Sequence, residues 1–115
     1  MEVLMGTGKV INIVASECAA ADEVNFNKWY NEIHIPMLLK FSGLLGVTRY
    51  KFIGGDAGQV KYLAVYEFKD KASFEAFEKS PELSAAKEEM GQTWKNKMFD
   101  IKYRARYETI KTWQK

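Results

Sequence analysis

One stretch of the chain gathers side chains able to do proton chemistry: Phe26-Asn27-Lys28-Trp29-Tyr30-Asn31-Glu32-Ile33-His34-Ile35-Pro36. It holds the chain's one histidine, the side chain best suited to exchange a proton near neutral pH. At about 100° per residue, the apolar positions Phe26, Trp29, Tyr30, Ile33, Met37 and Phe41 form a helical stripe centred near Phe26, Ile33 and Met37. His34 falls roughly 60–80° from that centre, one turn after Tyr30 and two turns after Asn27. That places it on the flank of the buried face. Pro36 has no amide to give the carbonyl of Glu32 and disfavours helical geometry at Ile35, so a kink or break is expected there. A kink of this kind opens space between helix and sheet. Two readings of His34 stand side by side: an acid or base at a pocket rim, or a boundary histidine satisfied by a backbone carbonyl beside a helix stop.

Other residues supply less. The chain has one histidine and one cysteine, Cys18, so a dedicated metal site is not expected and no intrachain disulfide can form. Cys18 reads as a small buried filler. Phosphate loop, nucleophile elbow, HExxH helix and dinucleotide fingerprint are all missing. Trp29 and Trp94 lie at stripe positions and read first as core. Tyr50, Tyr62, Tyr66, Tyr103 and Tyr107 each fall on one parity of their strands, and buried phenols need partners, water or a ligand. An aromatic, polar-tipped cavity beside His34 would use Trp29, Tyr30, Tyr50, Tyr66 and Trp94. Glu67 and Arg49 read as a cross-strand ion pair.

The elements that must position these groups follow from periodicity. Lys9 to Glu17 reads as a first strand, and Asp22 or Asn25 can cap the helix that follows. Gly43 offers a left-handed helix end. Leu44 to Ile53 and Val60 to Phe68 form a hairpin around the turn Gly54-Gly55-Asp56-Ala57-Gly58. Asp70 caps a short helix bearing Phe74 and Phe77, and Ser80-Pro81 starts the next, with Leu83, Ala86, Met90 and Trp94 as its stripe. Met98 to Ile110 alternates as a last strand. The order β-α-β-β-α-β predicts an α+β, ferredoxin-like fold: a four-stranded antiparallel sheet with helices on one face. Strand three carries apolar residues on both sides, Tyr62, Ala64, Tyr66 and Phe68 against Leu63 and Val65. The uncovered face therefore calls for a second copy of the chain, with a monomer bearing a mixed outer face as the alternative. The tyrosine-bearing side is expected to meet the helices, because the other carries Glu67, Arg49, Lys102 and Arg104.

With 115 residues, the chain predicts a single domain over residues 1–115. Hydrophobic residues make up 47% and charged ones 28%, and 17 basic against 15 acidic residues leave a net charge of +2. Neither a nucleic-acid partner nor an acidic membrane surface is implied. Met1 to Val10 lacks the pattern of a secretory signal, and no stretch approaches the roughly 18 apolar residues of a membrane span. A soluble, cytoplasmic protein is the expectation.

The helix FNKWYNEIHIP followed by FSGLLGVTRYKF resembles the EthD-like branch of the dimeric α/β-barrel superfamily, whose helix typically shows an aromatic-Trp-x-x-x-x-His-x-Pro pattern. The YLAVYEF strand and the helix ending in Thr93-Trp94 are similar too, and the likeness spans nearly the whole chain. The resemblance implies a homodimer with sheets facing each other and a pocket in each subunit. It implies action without metal or organic cofactor on small apolar or polyketide-like compounds, by cyclisation, dehydration, decarboxylation or oxygenation. His34 matches the family's helix histidine, proposed as its acid–base residue, and Trp29 matches its motif position. Haem-degrading relatives take their histidine from another helix, so haem is not implied. Three functions follow: a cofactor-independent enzyme using His34, a non-catalytic binding module for an apolar metabolite, or a purely structural dimer.

Overall fold

The computed structural model describes residues 8–95 and 99–115. The proposed strand start at Met98 and most of the segment read for a leader lie outside them. Strand β1 (Val10–Cys18) leads through a short 3-10 turn, Ala20–Asp22, into helix α1 (Glu23–Trp29), a π-helical turn (Tyr30–His34) and helix α2 (Ile35–Leu38). Strands β2 (Leu44–Lys51) and β3 (Tyr62–Phe68) form the hairpin, helices α3 (Lys71–Glu78) and α4 (Pro81–Thr93) follow, and β4 (Phe99–Glu108) ends the sheet. The sheet runs β2-β3-β1-β4, and every pairing is antiparallel. This is the expected ferredoxin-like α+β architecture.

Register sorts the two faces into rows. Beneath the helices run Lys51-Tyr62-Ser16-Ile101, Arg49-Ala64-Val14-Arg104, Val47-Tyr66-Asn12-Arg106 and Leu44-Phe68-Val10-Glu108. On the far side run Tyr50-Leu63-Ala15-Tyr103, Thr48-Val65-Ile13-Ala105 and Gly46-Glu67-Ile11-Tyr107. Tyr62 and Tyr66 meet the helices as expected. Tyr50, Tyr103 and Tyr107 do not: they project from the opposite face, with Tyr50 54% exposed. Arg49 and Arg104, expected on that opposite face, stand instead on the helix side. Arg49 therefore sits across from Ala64 and Glu67 across from Gly46, which removes the anticipated Glu67–Arg49 pair. The cause in β4 is a bulge. Ser16 pairs with Ile101 but the adjacent Ala15 pairs with Tyr103, leaving Lys102 as the extra residue.

The core lies between the inner rows and the helices. Phe26, Phe68 and Ala86 have no exposed surface, and Phe74, Phe77, Leu38 and Leu44 close around them. Phe68 meets Phe74 and Phe77 edge-on or tilted, with ring centroids 5.3 and 5.0 Å away, a favoured aromatic geometry. Helix starts follow local chemistry. Asp70 Oδ1 accepts from the Ser73 amide at 2.7 Å, and Ser80 Oγ accepts from the Leu83 amide at 3.1 Å ahead of Pro81. Asp22 does occupy the position before α1, yet its side chain makes no capping bond there. Gly43 does not adopt a left-handed backbone; a Cβ there would come within 2.6 Å of the Phe41 ring, which would have to move aside.

Ser80 works at both ends of a junction, since its hydroxyl also donates to the Phe77 carbonyl at 2.7 Å. Ser80→Ala is expected to cost about 1–2 kcal/mol, and Phe68→Ala about 3–5 kcal/mol. Urea unfolding monitored by circular dichroism measures both, and a Phe68→Ala cost below that of Ser80→Ala would contradict the assigned core.

Candidate functional site

The helical segment after β1 does not break at Pro36. Ile35 and His34 keep right-handed helical angles, and the chain accommodates the proline by widening one turn: the Ile35 amide donates to the Tyr30 carbonyl five residues back. A turn of that width changes which side chains face the sheet. Phe26, Trp29, Tyr30, His34 and Leu38 point inward, whereas Ile33, expected at the stripe centre, is 42% exposed. His34 is thus drawn further in than its flank position predicts, to 9% exposure.

Two aromatic rings hold the imidazole. Trp29 stacks on it with centroids 4.7 Å apart and planes 23° from parallel, and Tyr30 meets it edge-on at 5.1 Å. Trp29 is itself fixed, because its indole N–H donates to Glu89 on α4 at 3.0 Å. Thr93 also hydrogen-bonds Glu89, one turn further along. Burial pushes the His34 pKa from its ordinary 6.5 down to about 4, and the Glu89 charge offsets only part of this. The ring is therefore neutral at pH 7, and its Nδ1 is buried with no hydrogen-bond partner.

His34 opens onto a cavity of about 300 Å³ between the inner sheet face and the helices. Trp29, Tyr30, Tyr66, Val14, Leu38 and Phe99 contribute its aromatic and apolar wall. The Tyr30 and Tyr66 hydroxyls lie 3.0 Å apart, and burial raises both phenols above their ordinary range, Tyr66 furthest. Arg49 braces Tyr30 from behind: its guanidinium carbon lies 4.4 Å from the ring centroid, and Nη1 donates to Asn31 at 2.8 Å. A second polar atom without a partner, Asn12 Oδ1, lies on a residue of the cavity wall that is 7% exposed. A neutral imidazole, two protonated phenols and an amide inside apolar walls can orient a small ligand and move one proton on it.

Of the residues nominated from sequence, Trp29, Tyr30, His34 and Tyr66 come together around this cavity. Trp94 does not border it but packs edge-on against Trp29 at 5.4 Å, and Tyr50 stands on the far face of the sheet. Sequence reasoning missed Asn12, Glu89 and Arg104. Asn12 left a signal, since asparagine is unusual inside a β-branched strand such as VINIVA. Glu89 left none, because its role depends on how α4 crosses Trp29. Among the described residues no group of three or more His, Cys, Asp or Glu side chains is placed to hold a metal ion, and no helix is long and apolar enough to cross a membrane.

Solved structures with this architecture are numerous. An ethyl tert-butyl ether D (EthD) family protein from Bacillus halodurans C-125 superposes with a TM-score of 0.65 at 16% identity, over 88% of this chain and 99% of that one. The haem degrader MhuD from Mycobacterium tuberculosis gives 0.67 at 18% identity, over 91% and 99%. A dimeric protein of unknown function with a ferredoxin-like fold from Bacteroides fragilis NCTC 9343 gives 0.61 at 16% identity, over 89% and 97%. At such identities the likeness establishes the fold, and it agrees with the EthD-like resemblance carried by the His34 helix. No curated protein sequence matches the chain. The family model for a domain of unknown function, DUF4286, matches residues 9–110, and the chain belongs to that family.

Proposed function

We propose that this protein is a homodimeric, cofactor-independent acid–base enzyme in which His34 moves a proton on a small apolar or aromatic, polyketide-like compound. The observation that carries the reading is the neutral imidazole of His34, clamped by Trp29 and Tyr30, with a partnerless Nδ1 beside a cavity of about 300 Å³. Cyclisation, dehydration, decarboxylation and oxygenation of an activated ring all need a proton taken or given at a fixed point. Tyr66 and Tyr30, held protonated by burial and bonded to each other, leave one O–H free to donate to a developing oxyanion. A cavity of this volume lies at the small end of ligand sites, which suits a compact ligand rather than a macrocycle such as the haem degraded by MhuD. The low pKa of His34 also favours a second reading, in which the neutral ring only orients a bound metabolite by hydrogen bonding.

The outer rows support the dimer. Ile11, Ile13, Leu63 and Val65 form a half-buried apolar field between Tyr50, Tyr103 and Tyr107, a surface suited to its own copy around a two-fold axis. Dimeric neighbours with this fold add weight.

His34→Ala is expected to lower turnover of a substrate found by screening aromatic and polyketide-like compounds about 10²–10⁴-fold. Unchanged turnover would end the acid–base role, and a bound metabolite recovered unaltered after long incubation would favour the binding reading. A stability measurement tests the same imidazole. The folded ring takes up its proton only near pH 4 and the unfolded one near pH 6.5, so the unfolded chain binds more protons in between. His34 thus contributes fully above pH 6.5, and stability falls as the pH drops toward 4, by on the order of 2–3 kcal/mol. The fall should be shallower by that amount in His34→Gln, read by denaturant unfolding across pH; parallel curves for the two proteins would refute the buried neutral ring. Sedimentation equilibrium is expected to give a dimer for the wild type and a monomer for Val65→Asp, which buries an unpaired charge at the centre of the outer face. A wild-type monomer would overturn the dimer.

A further inference from the structure

The cavity is charged unevenly. Arg104, Arg106 and Lys87 border it against one carboxylate, Glu78. That carboxylate is already engaged, with Arg106 Nη2 3.3 Å from its Oε2. The side chains of Arg104 and Lys87 have no ion pair or hydrogen bond among the described residues. Arg104 belongs to the inner row beside Val14 and lines the same cavity as Tyr30 and Tyr66. Cations in this position on a strand are unusual for a face that otherwise builds core. Arg104 and Lys87 stand exposed at the cavity edge, where an entering anion could reach them.

Further in, the requirement changes. Asn12 Oδ1 accepts nothing and His34 Nδ1 has no partner, although both are buried. Buried polar atoms in native proteins are ordinarily satisfied, so two such atoms lining one cavity mark it as a place for a polar group of a ligand. A donor is needed at Asn12. Val14, Leu38 and Phe99 supply apolar wall in the same cavity. We infer that the ligand is a compact aromatic acid, its carboxylate held by Arg104 and Lys87 and its ring hydroxyl set against Asn12 and His34. The guanidinium fork matches a carboxylate in shape as well as charge, while Lys87 adds an adaptable point charge. This inference rests on the reading of the His34 cavity as a ligand site and adds the charge of what enters it.

A matched pair of probes separates the two. 6-Hydroxy-2-naphthoate and 6-hydroxy-2-naphthamide share ring and hydroxyl and differ in charge. Calorimetry on the full chain, with the NMR resonances of its one histidine as a local reporter, gives affinity and place together. The acid is expected to bind at least about 10-fold more tightly than the amide at low salt, as charge-assisted hydrogen bonds require, with the His34 signals shifting. Added salt should narrow the gap. Arg104→Gln should remove most of it and Lys87→Gln part; both side chains are exposed, so neither change threatens folding. Equal affinities with shifted His34 signals would overturn the anionic ligand and leave the cavity reading standing. Still His34 signals with both probes would overturn the cavity reading and this inference with it. An acid preference that survives both substitutions would overturn the assignment to Arg104 and Lys87.

Discussion

A single missing amide hydrogen shapes the site. In an unbroken α-helix the nitrogen of residue 36 would serve the carbonyl of Glu32, and proline cannot. The chain stays helical but spends five residues on the turn before Pro36, with Ile35 bonded back to Tyr30. Because the wider turn rotates the following residues, Tyr30 and His34 share the sheet-facing side and Ile33 is turned out. The remaining contacts of His34 depend on that rotation. Trp29 can lie flat on the imidazole because the two are five residues apart on a turn that brings them level, and Glu89 can then hold the indole from α4. Deep burial of the ring, and with it the neutral state at pH 7, is the downstream result.

The sheet divides its labour by face. Under the helices, bulky Phe68 and Tyr66 at one end build core, while Ala64 and Val14 in the neighbouring row are short and leave depth. On the other side a plain field of isoleucine, leucine and valine is fringed by tyrosines. One strand serves both purposes at once, because alternation lets β3 place Tyr62, Ala64, Tyr66 and Phe68 inward and Leu63 and Val65 outward.

Much of this was legible in the residues. The succession of strands and helices, the Asp70 and Ser80 starts, the β-α-β-β-α-β order and the meeting of Trp29, Tyr30 and His34 all follow from local pattern. Those signals need only a few neighbours along the chain. What failed needed partners across space. No local pattern fixes which residue of β2 faces Ala64, so Arg49 reads as lying on the outer face beside Glu67, whereas only Glu67 is there. Tyr50 moved with the same register. In β4 the apolar alternation from Phe99 to Tyr107 reads as one continuous face, yet Phe99 and Ile101 point inward and Tyr103, Ala105 and Tyr107 outward. At Pro36 local pattern predicts the commoner responses to proline, a kink or a break, where the chain takes a rarer one, a widened turn.

The bulge at Lys102 has a consequence for how the molecule is made. β4 is an edge strand and the last element in the sequence, so it docks on a β1 whose other side is paired with β3. Its sequence offers that template two registers. An unbulged one keeps strict alternation and would lay Tyr103 and Tyr107 beneath the helices with both arginines outside; the bulged one is native. Local preference and final structure are at odds in this strand, which makes it a frustrated element of the fold. Phe99 and Ile101, packed against Trp29 and the cavity wall, anchor the bulged register. The lining of the pocket and the outer face of the sheet are thus set by one register, and neither can be correct without the other.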